Sequence, residues 1–225
     1  MAKNKTIKGQ IVDFRELTKE LKEETLNNYK NRLSKYDEIY TLTDEIKEAI
    51  ENDKDFYILV FLINNKPVAH IQFKYFKSSK MIFIDYVYTL KNNISYTNNL
   101  YYFVEEKISK IFDVSIIVTE ISFANKRRNK ALEKLLSLQD FKALEFKYIQ
   151  PPTESFLPST GALLIKEYSK NYSVDLIVKD IYFNHYAYWY KDSRFYKVKI
   201  FCLYFLQKML IKKLKKVFKK GEYGK

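Results

Sequence analysis

The chain has 225 residues, 47% hydrophobic and 17% aromatic, with a formal net charge of +13. That apolar fraction supports a real core and excludes a disordered chain, and the length fits one domain with an extension or two small domains. Lys197–Lys225 holds ten Lys and one Glu, a net +9 that leaves +4 on everything before it, so the basic character belongs mainly to a tail.

The single cysteine, Cys202, excludes an internal disulfide and suits a reducing compartment. MAKNKTIKGQ at the start has no signal-type apolar run, and no apolar run nears the ~18–20 residues of a spanning helix. These features give the expectation of a cytoplasmic protein, peripheral at a membrane surface if the basic tail meets lipid. The 20 Tyr and 17 Phe accompany abundant Lys, Asn and Ile, a compositional bias that carries no function by itself.

Thr6–Leu17 is predicted as a first strand ending near Arg15. Thr18 suits an N-cap before a helix whose apolar positions are Leu21, Leu26, Tyr29, Leu33, Tyr36 and Tyr40. Thr43 starts a second, shorter helix with Asp44 and Glu45 in its first turn and Ile46, Ala49 and Ile50 on its apolar side. Asp55–Ile63 reads as a strand buried on both faces. Asn64-Asn65-Lys66 turns it into Pro67–Phe76, and Ser78-Ser79-Lys80 turns again into Met81–Leu90, a three-stranded antiparallel meander.

A polar loop is predicted over Lys91–Asn99, then a helix over Leu100–Phe112 with Leu100, Phe103, Val104, Lys107, Ile108 and Ile111 as its stripe. Strand, loop and helix in that order place free helix N–H groups beside a loop, an arrangement that holds anions. None of the four glycines (Gly9, Gly161, Gly221, Gly224) lies there. Val114–Ile121 follows as a strand, and the strand–helix–strand passage fits a parallel crossover. Asn125–Gln139 is predicted helical with Ala131, Leu132, Leu135, Leu136 and Leu138 inside. Phe141–Ile149 and Gly161–Tyr168 are the last strands, joined by the Pro-rich Gln150–Thr160. Asn171–Lys191 is an aromatic amphipathic helix. Val198–Lys220 is a final helix with Leu203, Leu206, Leu210, Leu214 and Val217 on one side and Lys208, Lys212, Lys215 and Lys219 on the other.

This order over Thr6–Tyr168, about three quarters of the chain, resembles the GNAT N-acetyltransferase superfamily. The resemblance implies a mixed α/β fold with a central mixed sheet flanked by helices (residues 1–169), followed by an aromatic and basic helical extension (170–225). It also implies acyl transfer from acetyl-coenzyme A (acetyl-CoA) to an amine, on a small molecule or a protein, by direct attack. Backbone groups of Val87, Tyr88 and Thr89 on the fourth strand would meet the pantetheine arm and the developing oxyanion. The family's Arg/Gln-x-x-Gly-x-Gly/Ala loop would fall on Ile94, Thr97 and Asn99, with Asn98 between, and all three signature positions depart from it. In the later helix Asn129 and Phe141 keep the family's spacing, while Leu136 stands at its Tyr position and Asp140 at its Gly position. Ala69 stands where the second-to-third strand hairpin often has Gly.

Asp85 is a candidate catalytic base, or a hydrogen-bonded structural carboxylate. Glu120 is a second base candidate with the same alternative. Tyr86 and Tyr88 either line an acceptor cleft and supply an acid, or simply pack in the sheet. His70 reads as a structural histidine more readily than a catalytic one, no metal-ligand spacing joins it to His185, and Cys202 reads as apolar filler. The basic helix of Lys197–Lys225 suits an anionic membrane surface, a nucleic acid, or plain docking of its apolar side. Tyr182–Tyr190 suits base stacking, an interface or helix docking. A catalytically inactive GNAT-fold protein that recruits a partner, a membrane or nucleic acid through this tail is the alternative to an enzyme. A nucleic-acid-associated acetyltransferase or binder is a third reading.

Overall fold

A computed structural model describes residues 9–33, 43–90, 94–122, 139–152, 157–169, 171–189 and 194–222. The architecture is mixed α/β, with sheet flanked by helices and a C-terminal helical region. The chain divides into two compact units, Met1–Val114 and Ser115–Lys225.

The first unit begins with β1 (Gln10–Asp13), shorter than the predicted strand. The cause is local. The Asp13 carboxylate accepts from the Arg15 backbone N–H at 2.8 Å and turns Phe14–Glu16 into a 3-10 turn. The Arg15 guanidinium then donates to the carbonyl of Phe56 at 2.7 Å and reaches those of Ile50 and Asp53, tying the turn to the next helix and strand. α1 (Lys19–Leu33) starts after Thr18, whose hydroxyl accepts from Leu21 N–H at 3.4 Å. It buries Thr25, Leu26 and Tyr29 at the helical i, i+1, i+4 spacing. Tyr36 and Tyr40 lie outside the described residues. α2 (Thr43–Asn52) buries Ile46, Ala49 and Ile50 as expected.

β2 (Phe56–Ile63), β3 (Lys66–Phe76) and β4 (Met81–Thr89) form the predicted antiparallel meander, with β1 added on β2. Asn64 and Asn65 turn the first hairpin at φ 50° and 57°, and Lys80 closes the second turn at φ 49°. Asn at two successive positive-φ positions is the arrangement that matches strand twist in a two-residue hairpin. β2 is buried on both faces, from Phe56 to Leu62 with only Tyr57 half-buried.

α3 starts earlier than the sequence suggests. It occupies Ile94–Phe103, continues through a π-helical turn at Val104–Ile108 and ends with Ser109–Ile111. Thr97, Asn98 and Asn99, expected in a loop, therefore lie in its first turns. Thr97, Leu100, Tyr101, Val104 and Ile108 are buried, a stripe that begins before the predicted helix does. In the π turn Ser109 N–H bonds to the Val104 carbonyl, one residue beyond the α-helical partner. That extra residue rotates the remaining turn, so Ile111, expected inside, is 72% exposed.

The second unit centres on β8 (Ser159–Glu167). It pairs antiparallel with β5 (Ile116–Ser122) along its length, from Ile116↔Glu167 to Ser122↔Gly161. Gly161 is required by this pairing, because a Cβ there would stand 2.3 Å from the Ile121 carbonyl oxygen. The strand predicted over Phe141–Ile149 is two short ones on β8, β6 (Lys142–Ala143) and β7 (Tyr148–Gln150). Between them Phe146 N–H bonds back to the Leu144 carbonyl at 2.8 Å, a tight turn that interrupts the ladder. The predicted helix of Asn125–Gln139, with Ala131, Leu132, Leu135, Leu136 and Leu138, falls almost wholly outside the described residues, as does Asn129 itself.

α4 comprises Val174–Lys179, a π-helical segment Asp180–Tyr186 and Ala187–Trp189, capped by Ser173. α5 runs over Arg194–Glu222. Its buried stripe is Tyr196, Ile200, Leu203, Gln207 and Ile211. This corrects the expected stripe: of that set only Leu203 is buried, and Leu206 is 46% exposed. The side chains of Leu214 and Val217 lie outside the described ones. Polar anchors select the buried side. Gln207 accepts from Ile149 N–H at 2.7 Å and donates to the Lys147 carbonyl at 3.1 Å, and Tyr196 donates to the Pro152 carbonyl at 2.6 Å.

Candidate functional site

In the first unit the candidate groups collect on β4 and at the start of α3. The β3–β4 ladder pairs Gln72 with Tyr86 and Phe73 with Ile84, so Asp85 is the inserted residue of a β-bulge. Bulges re-aim side chains and recur beside active sites. Here the insertion changes burial: Met81–Ile84 are all buried, whereas Asp85, Tyr86 and Val87 are half-buried. Tyr88 returns inward and Thr89 is half-buried. The Tyr88 ring stacks on His70, its register partner, with centroids 5.0 Å apart at 16°. Tyr29 of α1 closes on the same imidazole at 5.5 Å and on the Tyr86 ring at 5.0 Å. Burial pushes the His70 pKa down to about 3, so the ring is neutral. Its surroundings are those of the structural histidine that the sequence favours.

α3 packs on β3 and β4. Its Tyr96 ring meets Phe61 of β2 edge-on at 5.8 Å. An α-helix leaves only its first amides without internal partners. With the start at Ile94, the amides of Thr97, Asn98 and Asn99 fall within the helical repeat. The first turn carries no acidic side chain to oppose an anion. Thr97 is buried, and Asn98 and Asn99 are half-buried. This unit also has a cleft of about 460 Å³ lined by Phe14, Arg15, Lys22, Leu26 and Ile50 among others. Two of its three cations are committed to the fold, Arg15 as described and Lys22 to the Arg15 carbonyl at 2.9 Å, and Lys19 also lines it.

In the second unit Glu120 of β5 sits in a network that the sequence does not announce. Its carboxylate accepts from Tyr148 Oη at 2.8 Å, from Gln150 Nε2 at 2.9 Å and from the Tyr186 hydroxyl. Gln150 is itself fixed by Ser159 Oγ at 2.9 Å, and the Tyr182 hydroxyl donates to the Ile149 carbonyl. Burial first, and then the Glu120 charge, push the Tyr148 hydroxyl pKa well upward, so Tyr148 is a fixed donor. The only sequence trace is spacing. Tyr148 and Gln150 share one face of a strand, and Tyr182 and Tyr186 share one face of a helix. Asp140, at the position where the resembled family has Gly, holds φ 61°, a left-handed backbone suited to Gly. His185 and Tyr186 meet edge-on at 5.2 Å, and among the described residues no His, Cys, Asp or Glu cluster is arranged to hold a metal ion.

Neither a family model nor a curated protein sequence matches the chain. Solved structures do. A GNAT-family protein from Bacteroides thetaiotaomicron aligns at TM-score 0.56 and 16% identity, covering 80% of this chain and 98% of its own. A ribosomal-protein-alanine N-acetyltransferase from Brucella melitensis aligns at 0.55 and 15%, covering 70% and 99%. An N-acetyltransferase from Staphylococcus aureus Mu50 aligns at 0.54 and 15%, covering 71% and 97%. At these identities the likeness shows the fold alone: the chain has the fold of the GNAT proteins.

Proposed function

We propose that the chain is an N-acyltransferase that moves an acetyl or other acyl group from acyl-CoA to an amine by direct attack. The observation that carries this reading is the β-bulge at Asp85, on the strand that leads into the acid-free start of α3. When bound, the coenzyme supplies an activated thioester. The start of α3 suits its phosphate end, since the helix dipole favours an anion there and the first turn carries no acidic side chain. Thr97, Asn98 and Asn99 stand in the next turn and are the further residues proposed to bind the coenzyme. Backbone groups between Val87 and Thr89 would hold the pantetheine arm and supply the oxyanion donor when the coenzyme is bound. The resemblance adds Asn129 as a further coenzyme-binding residue.

Asp85 is the proposed base, taking the proton of the acceptor amine directly or through one water. Glu120 is the weaker candidate, because three donors already hold its carboxylate. Tyr88 contributes its backbone, its ring being stacked on His70. The acceptor is an amine on a small molecule or a protein. Calorimetric titration with acetyl-CoA tests the reading, with a saturable heat expected. No binding at millimolar ligand would replace it with a binding protein that has kept the fold and lost the coenzyme.

A further inference from the structure

α5 has two apolar sides, and only one is used by the fold. Tyr196, Ile200, Leu203, Gln207 and Ile211 dock inward. Phe195, Val198, Phe201, Phe205, Leu206 and Met209 are all exposed, from 46% at Leu206 to 70% at Phe195. At ~100° per residue these six fall on one arc, opposite the docked stripe, and Phe195 to Met209 spans roughly 20 Å of helix. Lys197 and Lys208 run along one border of the arc, Lys199 lies on the other, and Lys212 falls just inside the arc past its last apolar residue. The same segment carries the net +9 of Lys197–Lys225.

We propose that this ridge is a membrane-docking surface that lies in the interface of an anionic lipid bilayer. The partner must cover Phe, Met and Val and also neutralise lysines beside them. A bilayer with anionic headgroups does both, since the rings enter the acyl boundary while lysine stems snorkel to the headgroups. A second copy of the chain would cover the ridge but bring one +9 segment against another. Nucleic acid would neutralise the lysines and leave the rings in water. Among the described residues no helix is long and apolar enough to cross a membrane, so the surface is one of attachment. Gln207 and Tyr196 keep the opposite side of α5 fixed to its own unit while the ridge faces out. The proposal is independent of whether the chain transfers acyl groups.

Cys202, the chain's one cysteine, is exposed and falls on the same arc, between the positions of Met209 and Phe195, and so offers a native label position within the ridge. The test uses the full chain with an environment-sensitive fluorophore on Cys202, together with co-sedimentation of the unlabelled chain. Vesicles are phosphatidylcholine with and without about a third phosphatidylserine. Expected are a blue shift and co-sedimentation with the anionic vesicles only. Phe201→Ser combined with Phe205→Ser should weaken that binding about tenfold or more, with the melting curve unchanged. Three outcomes would overturn the proposal. The first is no association with anionic vesicles. The second is a dimer that the double substitution dissociates. The third is preferential binding of single-stranded RNA that is indifferent to the double substitution.

Discussion

Tyr148 of β7 and Glu120 of β5 are joined by a 2.8 Å hydrogen bond, and the tyrosine that donates it is wholly buried. The bond ties two strands that flank β8 without pairing to each other directly. Removing the carboxylate takes one acceptor from Tyr148, Gln150 and Tyr186 together. Glu120→Ala is expected to cost about 2–3 kcal/mol in urea unfolding, and Tyr148→Phe about 1 kcal/mol. The two losses should fall short of additive in the double substitution, because they share a bond. Were Glu120→Gln to abolish acyl transfer with stability unchanged, the carboxylate would be the catalytic base and the assignment to Asp85 would fall.

Asp85 is the residue on which the enzyme reading turns. Asp85→Asn keeps its size and bulge position and removes its basicity. The expected result is a fall in kcat of roughly 100-fold or more, with acetyl-CoA affinity and melting temperature near those of the parent. A variant that retains its rate would assign deprotonation elsewhere.

His70 makes stability pH-dependent in a defined window. Its folded pKa, about 3, lies below the ordinary value of 6.5. The unfolded chain therefore binds the proton first. The contribution of the neutral ring is complete above pH 6.5 and is lost as pH falls from there toward 3. The slope approaches ~1.4 kcal/mol per pH unit inside the window. Between pH 6.5 and 5, above most carboxylate titration, His70→Gln should flatten the fall seen in the parent. Equal slopes in chemical denaturation would mean that the imidazole is not sealed from water.

Gln207 anchors α5 to β7 through two backbone groups, the N–H of Ile149 and the carbonyl of Lys147. Gln207→Leu preserves bulk and leaves both without their partner. A loss of about 1–3 kcal/mol is expected, with faster hydrogen exchange at the Ile149 amide. Unchanged exchange there would show that the helix is held by its apolar contacts alone.

Local chemistry explains the parts that could be foreseen. The β2–β4 meander follows from dense β-branched and aromatic runs separated by Asn64-Asn65 and Ser78-Ser79-Lys80, each signal lying within a few residues of the feature it encodes. The Thr18 cap is of the same kind. The start of α3 was hidden because Thr97 is polar and the apolar count began at Leu100. Ile111 faces outward, against its place in the apolar stripe, because a π turn breaks the 3.6-residue period without a sequence mark. Tyr148 and Gln150 follow Glu120 by 28 and 30 residues and Tyr186 by 66, so no local pattern joins them.

Element order, the meander and the basic end of the chain are thus properties of composition and short-range pattern, and they sufficed to suggest the fold. Which side of α5 is buried is not. Its period offers two apolar faces, and the choice fell to the one bearing Gln207, because free backbone groups of β7 need a partner and leucine cannot supply one. The same long-range requirement engaged Glu120 with three donors and left the Phe195–Met209 ridge facing outward.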